Sequence, residues 1–323
     1  MTHPVLGYGV PVFLLAARGQ RLQGQPPPLD GRFVNASNTG LAGIGVDPAT
    51  LTTQGAITYS TAGQTITGKK FTGRATITGD NITISGCQFV GGDVGATAYI
   101  PCRVSGGSNF TIQDCTFTPD TGLAFYIGID IIGGDGATIQ RNDIGTCSNG
   151  ITLDVGTITN TLIQYNYIHD LTGGDNDCVE VYAGSGVTIL NNWLVLSSDS
   201  ATHDQSSINI APYRSGIAVD HVLARGNFMD GGNVSVVDAV ISPGGPTTNT
   251  KFIRNWFGGH QKPSHGQYLA LLNSQNQPIV HTDADQSANQ SAILWPNSGS
   301  DVNYWYNSVG LVPDMSGQIV DVG

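Results

Sequence analysis

The densest group of side chains able to do chemistry lies in Gly174-Asp175-Asn176-Asp177-Cys178-Val179-Glu180. His169-Asp170 precedes it, and His203-Asp204 follows about one repeat later. Two carboxyl groups can cleave a glycosidic bond, one as acid and one as base, when an inverting pair stands roughly 6.5–9.5 Å apart. Asp177, with Asp175, Glu180 and His203 as neighbours, forms the candidate catalytic set. In this reading Asp175 and Glu180 press like charge on Asp177, which raises at least one pKa and prepares a general acid. Asp130, Asn209, Tyr182 and Arg214 are the candidate substrate contacts. Asp175-x-Asp177 offers oxygens to Ca²⁺ but completes no loop motif, and His260 and His265 lack a metal-ligand spacing, so no metal site and no cofactor are expected. Trp193, Trp256 and Trp305 adjoin a repeated phrase from which they can stack on sugar rings or on a partner chain.

These residues gain meaning from the repeat that positions them. The phrase apolar-x-x-Asn/Cys-x-apolar recurs as Ile84 to Phe89, Ile112 to Phe117, Ile139 to Ile144, Ile163 to Ile168 and Ile189 to Leu194. Weaker copies run from Ala224, Phe252 and Tyr304. Its anchor is Cys87, Cys115, Asn142, Asn166, Asn192, Asn227, Asn255 and Asn307. A period mostly in the twenties is too short for a helix-pair repeat and suits one coil of a solenoid. Between the anchors, Gly128-Ile129-Asp130-Ile131, Gly150-Ile151-Thr152-Leu153, Cys178-Val179-Glu180-Val181 and Ser207-Ile208-Asn209-Ile210 alternate at period two. Stacked at roughly 4.8 Å, these strands would line up Asp130, Thr152, Glu180 and Asn209 in one outward column, with Asp130 and Glu180 roughly 9.6 Å apart. The expectation is an all-β, right-handed single-stranded parallel β-helix of about ten coils. Its regular body spans 56–310, a non-repeating segment 1–55 caps or attaches it, and 311–323 forms a C-terminal cap or tail. Ile84, Ile112, Ile139, Ile163 and Ile189 are expected to stack inward, and the Asn anchors to form an amide ladder.

Composition agrees. Only 11% of the residues are charged and glycine occurs 44 times, which suits sheets and tight bends more than helices. A net charge of −11 argues against a nucleic-acid partner. The five cysteines form no CxxC pair, and their odd number favours buried free thiols. The apolar run from Val10 to Ala17 has its arginines after it, not before it, and no stretch is long enough for a bilayer. Synthesis in a cytoplasm without a cleaved signal, and no membrane insertion, are expected.

The phrase Asn81 to Phe89 resembles an opening coil of the pectate-lyase-like β-helix superfamily, and the resemblance covers about 56 to 310. Within it, Gly174 to Val181 is similar to the polygalacturonase segment Gly-Asp-Asp-Cys-Ile-x-Ile, which carries catalytic aspartates; here Asn176 separates Asp175 from Asp177. That likeness implies a polygalacturonase-like glycoside hydrolase or a lyase. In layout, with a non-repeating N-terminus and late coils such as Arg254-Asn255-Trp256-Phe257, the chain most resembles β-helix minor tail and tail-spike proteins of bacteriophages. That resemblance implies a virion component, a homotrimer, that touches other virion proteins and the polysaccharide of the host envelope.

Overall fold

The computed structural model describes residues 34–92, 99–172, 176–196, 206–230, 234–238, 244–258, 302–305, 311–313 and 319–321. Short strands wind into a parallel β-helix. Eight of them form one continuous parallel sheet: Ile57–Tyr59 (β1), Ala75–Ile77 (β2), Cys102–Val104 (β3), Phe125–Ile131 (β4), Cys147–Leu153 (β5), Asp177–Val181 (β6), Ser206–Ile210 (β7) and Val234–Asp238 (β8). The other strands of each coil pair in the same parallel sense into the remaining walls. The first coil opens at Thr52–Gln54, which pairs with Lys69–Phe71. At the far end Leu311–Pro313 and Ile319–Asp321 pair antiparallel, so the regular winding has stopped there.

Each wall explains a feature of the sequence. Ile84, Ile112, Ile139, Ile163 and Ile189 pair rung to rung and are fully buried, as their spacing predicts. Beyond the corner a second column runs Phe71, Phe89, Phe117, Ile144, Ile168 and Leu194. Its three phenylalanines stack with ring centroids 4.7 and 4.3 Å apart. The corner between the columns is a residue with positive φ: Gly68 in the first coil, then Gly86, Asp114, Arg141, Tyr165, Asn191 and Gly226, each just before an anchor from Cys87 to Asn227, with φ between 53° and 66°.

That corner turns the anchor side chain into the core, where the backbone supplies its partners. Oδ1 of Asn166 accepts from the backbone N–H and the Nδ2 of Asn142, each at 3.0 Å, and Asn166 Nδ2 donates to the Ile139 carbonyl at 3.0 Å. Asn192, Asn227 and Asn255 repeat the pattern. Every amide therefore closes the turn of the preceding coil, which satisfies groups that a buried bend would leave bare. Cys87 and Cys115 begin the ladder in place of Asn. All five cysteines are buried free thiols, and burial pushes those of Cys102, Cys147 and Cys178 upward.

The described part of the N-terminal segment runs along the side of the solenoid. Its short helix α1, Gly40–Gly43, lies on an outer wall. The Gly40 N–H donates to the Arg141 carbonyl at 2.8 Å and the Leu41 N–H to Thr116 Oγ1 at 3.0 Å. Gly40 has φ +55°, and a Cβ there would fall 2.3 Å from Thr116 Oγ1 and 2.8 Å from Asp143 Cβ, so the contact requires glycine. The same wall carries the buried bidentate pair of Arg141 with Asp114, at 2.7 and 2.8 Å. Among the described residues, no helix is long and apolar enough to cross a membrane.

Candidate functional site

The sheet β1–β8 carries the outward column that the sequence predicts. Arg103, Asp130, Thr152, Glu180 and Asn209 are register partners on β3 to β7. Asp177 joins this side because the strand breaks its own alternation. Cys178 and Val179 are consecutive yet both fully buried in the core. Two successive inward residues leave Asp177 and Glu180 on the same outer face.

The acids are nevertheless sealed. Asp177, Glu180 and Asp130 are 0%, 1% and 1% exposed. Oδ1 of Asp177 accepts from the Ser206 N–H at 2.8 Å and from the Ser206 hydroxyl, and its Oδ2 accepts from Asn209 Nδ2 at 2.9 Å. Oε2 of Glu180 accepts from Asn149 Nδ2 at 2.8 Å and from the Thr152 hydroxyl at 2.6 Å, and its Oε1 accepts from the Tyr182 hydroxyl. Burial, followed by the charge of Asp177, pushes the Glu180 pKa well above the ordinary carboxylate range, which biases Glu180 toward its neutral form.

Along the column, Asp130 Oδ2 accepts from Arg103 Nε at 2.7 Å. Burial raises the Asp130 pKa and Arg103 partly opposes it. On the C-terminal side of β5–β7 stands a polar wall. Tyr213 donates from its hydroxyl to Asp154 Oδ1 at 2.8 Å, and Arg214 Nη2 donates to the same carboxylate oxygen at 3.1 Å. The guanidinium carbon of Arg214 lies 5.0 Å from the centre of the Tyr213 ring, and Tyr182 meets that ring edge-on at 4.6 Å. Arg214 is exposed, whereas Tyr182, Tyr213 and Asn209 are half-buried.

Of the eight predicted site residues, Asp177, Glu180, Asp130, Asn209, Tyr182 and Arg214 share this face. Asp175 and His203 lie outside the described residues, as do His260 and His265. Sequence reasoning missed Arg103, Asn149, Asp154, Ser206 and Tyr213. Arg103 and Ser206 were legible as neighbours in the strand register, whereas Asp154 and Tyr213 meet across two coils and left no local signal. Trp193 lies on another wall, tilted between Tyr167 and Phe228 with ring centroids 5.2 and 5.5 Å away; the side chains of Trp256 and Trp305 lie outside the described set. His169, which precedes the acidic cluster, faces that other wall too. Its ring nitrogens contact Asp143 at 2.8 Å and Asp170 at 2.7 Å. Among the described residues, no group of three or more His, Cys, Asp or Glu is arranged to hold a metal ion.

The comparison with known families finds a match over residues 54–221 to the family described as right handed beta helix region. No curated protein and no solved structure matches the chain. The matched stretch takes in the first coils, the Asn ladder as far as Asn192 and the face that bears Asp130, Asp177 and Glu180, and it covers more than half of the sequence. The chain belongs to the right-handed β-helix family.

Proposed function

We propose that this chain is an adhesive β-helix that binds polysaccharide of a cell envelope through the face of β4–β7, in the setting of the phage tail and spike proteins its sequence resembles. The observation that carries the reading is the state of the acids. Asp177 and Glu180 are 0% and 1% exposed, and Ser206, Asn209, Asn149, Thr152 and Tyr182 donate to their oxygens. An acid–base or acid–nucleophile pair must instead reach and straddle the scissile bond. Sealed beneath the surface and held by these donors, the pair braces the floor of the face. What remains to meet a ligand is the rim of Tyr182, Tyr213, Arg214 and Asn209, which combines two aromatic surfaces with hydrogen-bonding groups, the usual composition of a sugar contact. A stiff, hydrogen-bonded rod of low charge also suits a protein that works outside cells.

The test is to incubate the purified protein with a panel of bacterial envelope polysaccharides and to follow both binding and new reducing ends. Binding without cleavage is expected. Tyr182→Ala should weaken it about tenfold, or ~1.4 kcal/mol. Reducing ends that appear with the parent and vanish with Asp177→Asn would instead establish the glycoside hydrolase. No binding to any polysaccharide would remove the adhesive reading.

A further inference from the structure

The charges on this face limit which polysaccharide it can take. The inference rests on the glycan-binding reading above and goes on to name the ligand class. Three arginines reach the face. Arg103 is spent on Asp130 and Arg214 on Asp154, at 2.7 and 3.1 Å. Arg74, which donates to the Ile100 carbonyl at 3.2 Å, lies near enough to feel the Asp130 charge. Against them stand Asp130, Asp154, Asp177 and Glu180. The face therefore carries no surplus of positive charge, and the chain as a whole is at −11.

The acids beneath the face point the same way. Asp130, Asp177 and Glu180 lie sealed under it, and the two arginines nearest the rim are already paired with Asp130 and Asp154. A carboxylate or phosphate oxygen would meet repulsion there, whereas a neutral hydroxyl, donor and acceptor at once, would not. The half-buried rings of Tyr182 and Tyr213 offer apolar surface to the C–H face of a sugar without demanding charge.

We propose that the β4–β7 face selects neutral, hydroxyl-rich polysaccharides and rejects polyanionic ones such as polyuronates and teichoic acids. The pairing of Arg214 with Asp154 is a determinant of that choice, because it neutralises the most exposed cation on the rim.

Binding of the full-length protein to immobilised dextran, mannan and arabinogalactan is compared with binding to polygalacturonate and poly(glycerol phosphate), at low and high salt. At least one neutral polymer should bind about tenfold or more tighter than either polyanion, and its affinity should change less than about twofold with salt, since no ion pair forms. Asp154→Asn removes the partner charge of Arg214 and keeps an acceptor for it. This variant should gain affinity for the polyanions, and the gain should disappear at high salt. Parent protein that prefers a polyanion, with affinity falling as salt rises, would overturn the selectivity and leave the glycan-binding reading intact. An Asp154→Asn variant that gains nothing would remove the role given to that pair. Failure to bind any of these polymers or any envelope polysaccharide would bring down both readings.

Discussion

At the scale of single residues, the carboxyl pair of Asp177 and Glu180 controls how the protein responds to pH. The folded pKa of Glu180 lies above its ordinary value of 4.5, first because it is buried and then because Asp177 faces it. Folding therefore retains a proton that the unfolded chain releases. Its stabilising share is complete below pH 4.5 and is lost as pH rises from there through the folded value. Asp114 and Asp130 are shifted upward as well, mainly by burial, and act in the same sense. For His169, burial lowers the pKa but the carboxylates of Asp143 and Asp170 outweigh it, so its pKa is raised and its contribution fades above pH 6.5. The melting temperature should fall steadily from mildly acidic to alkaline buffer. Glu180→Gln removes that titration and should flatten that slope. Thermal melts at several pH values check this, and a variant as steep as the parent would show that another group sets the slope.

The coil is the next unit of scale, and two parts of it can be probed. Replacing Ile163, fully buried in its ladder, with Asp places an ionised group among aliphatic neighbours and should cost several kcal/mol or prevent folding. Asn166→Ala is subtler. It leaves the Asn142 N–H and the Ile139 carbonyl without their partners, at about 1–3 kcal/mol for each buried group. Denaturant titration should place this variant between the parent and Ile163→Asp. The strap at α1 predicts a different outcome. Gly40→Val strains a positive φ and collides with Thr116 and Asp143, so the segment before Thr52 should become sensitive to protease while the coils keep their melting temperature. A protected segment in that variant would mean that other contacts hold it.

For the whole molecule, the stacking of coils makes stability a sum of neighbouring interfaces, and the outer walls are left to seek partners. Tyr126, 49% exposed on β4, and the half-buried Trp193 and Tyr167 give the lateral walls aromatic surface. With the likeness to phage spikes, this leads us to expect a homotrimer. Light scattering on the isolated protein should return three times the chain mass, and a stable monomer at micromolar concentration would remove the expectation.

The sequence alone determined the winding. A period mostly in the twenties, an Ile opening each of the five strong copies and an Asn or Cys anchor in every copy are local facts, and a parallel β-helix brings equivalent positions of successive coils into register. The core ladders, the Asn amides and the column from Asp130 to Asn209 were legible for that reason. Other features were decided only by the tertiary structure. The sequence set Asp130 and Glu180 two coils apart in one outward column; folding sealed both, tied Asp130 to Arg103 and ringed Glu180 with Asn149, Thr152 and Tyr182, because side-chain reach and burial choose partners that strand spacing cannot. Alternation within β6 failed at Cys178-Val179, where two successive residues enter the core and leave Asp177 on the outer face. Tyr213 and Asp154, 59 residues apart, meet because a loop after β7 crosses back over two coils. Such a contact follows no period, so the rim of the candidate site could be found only in the folded chain.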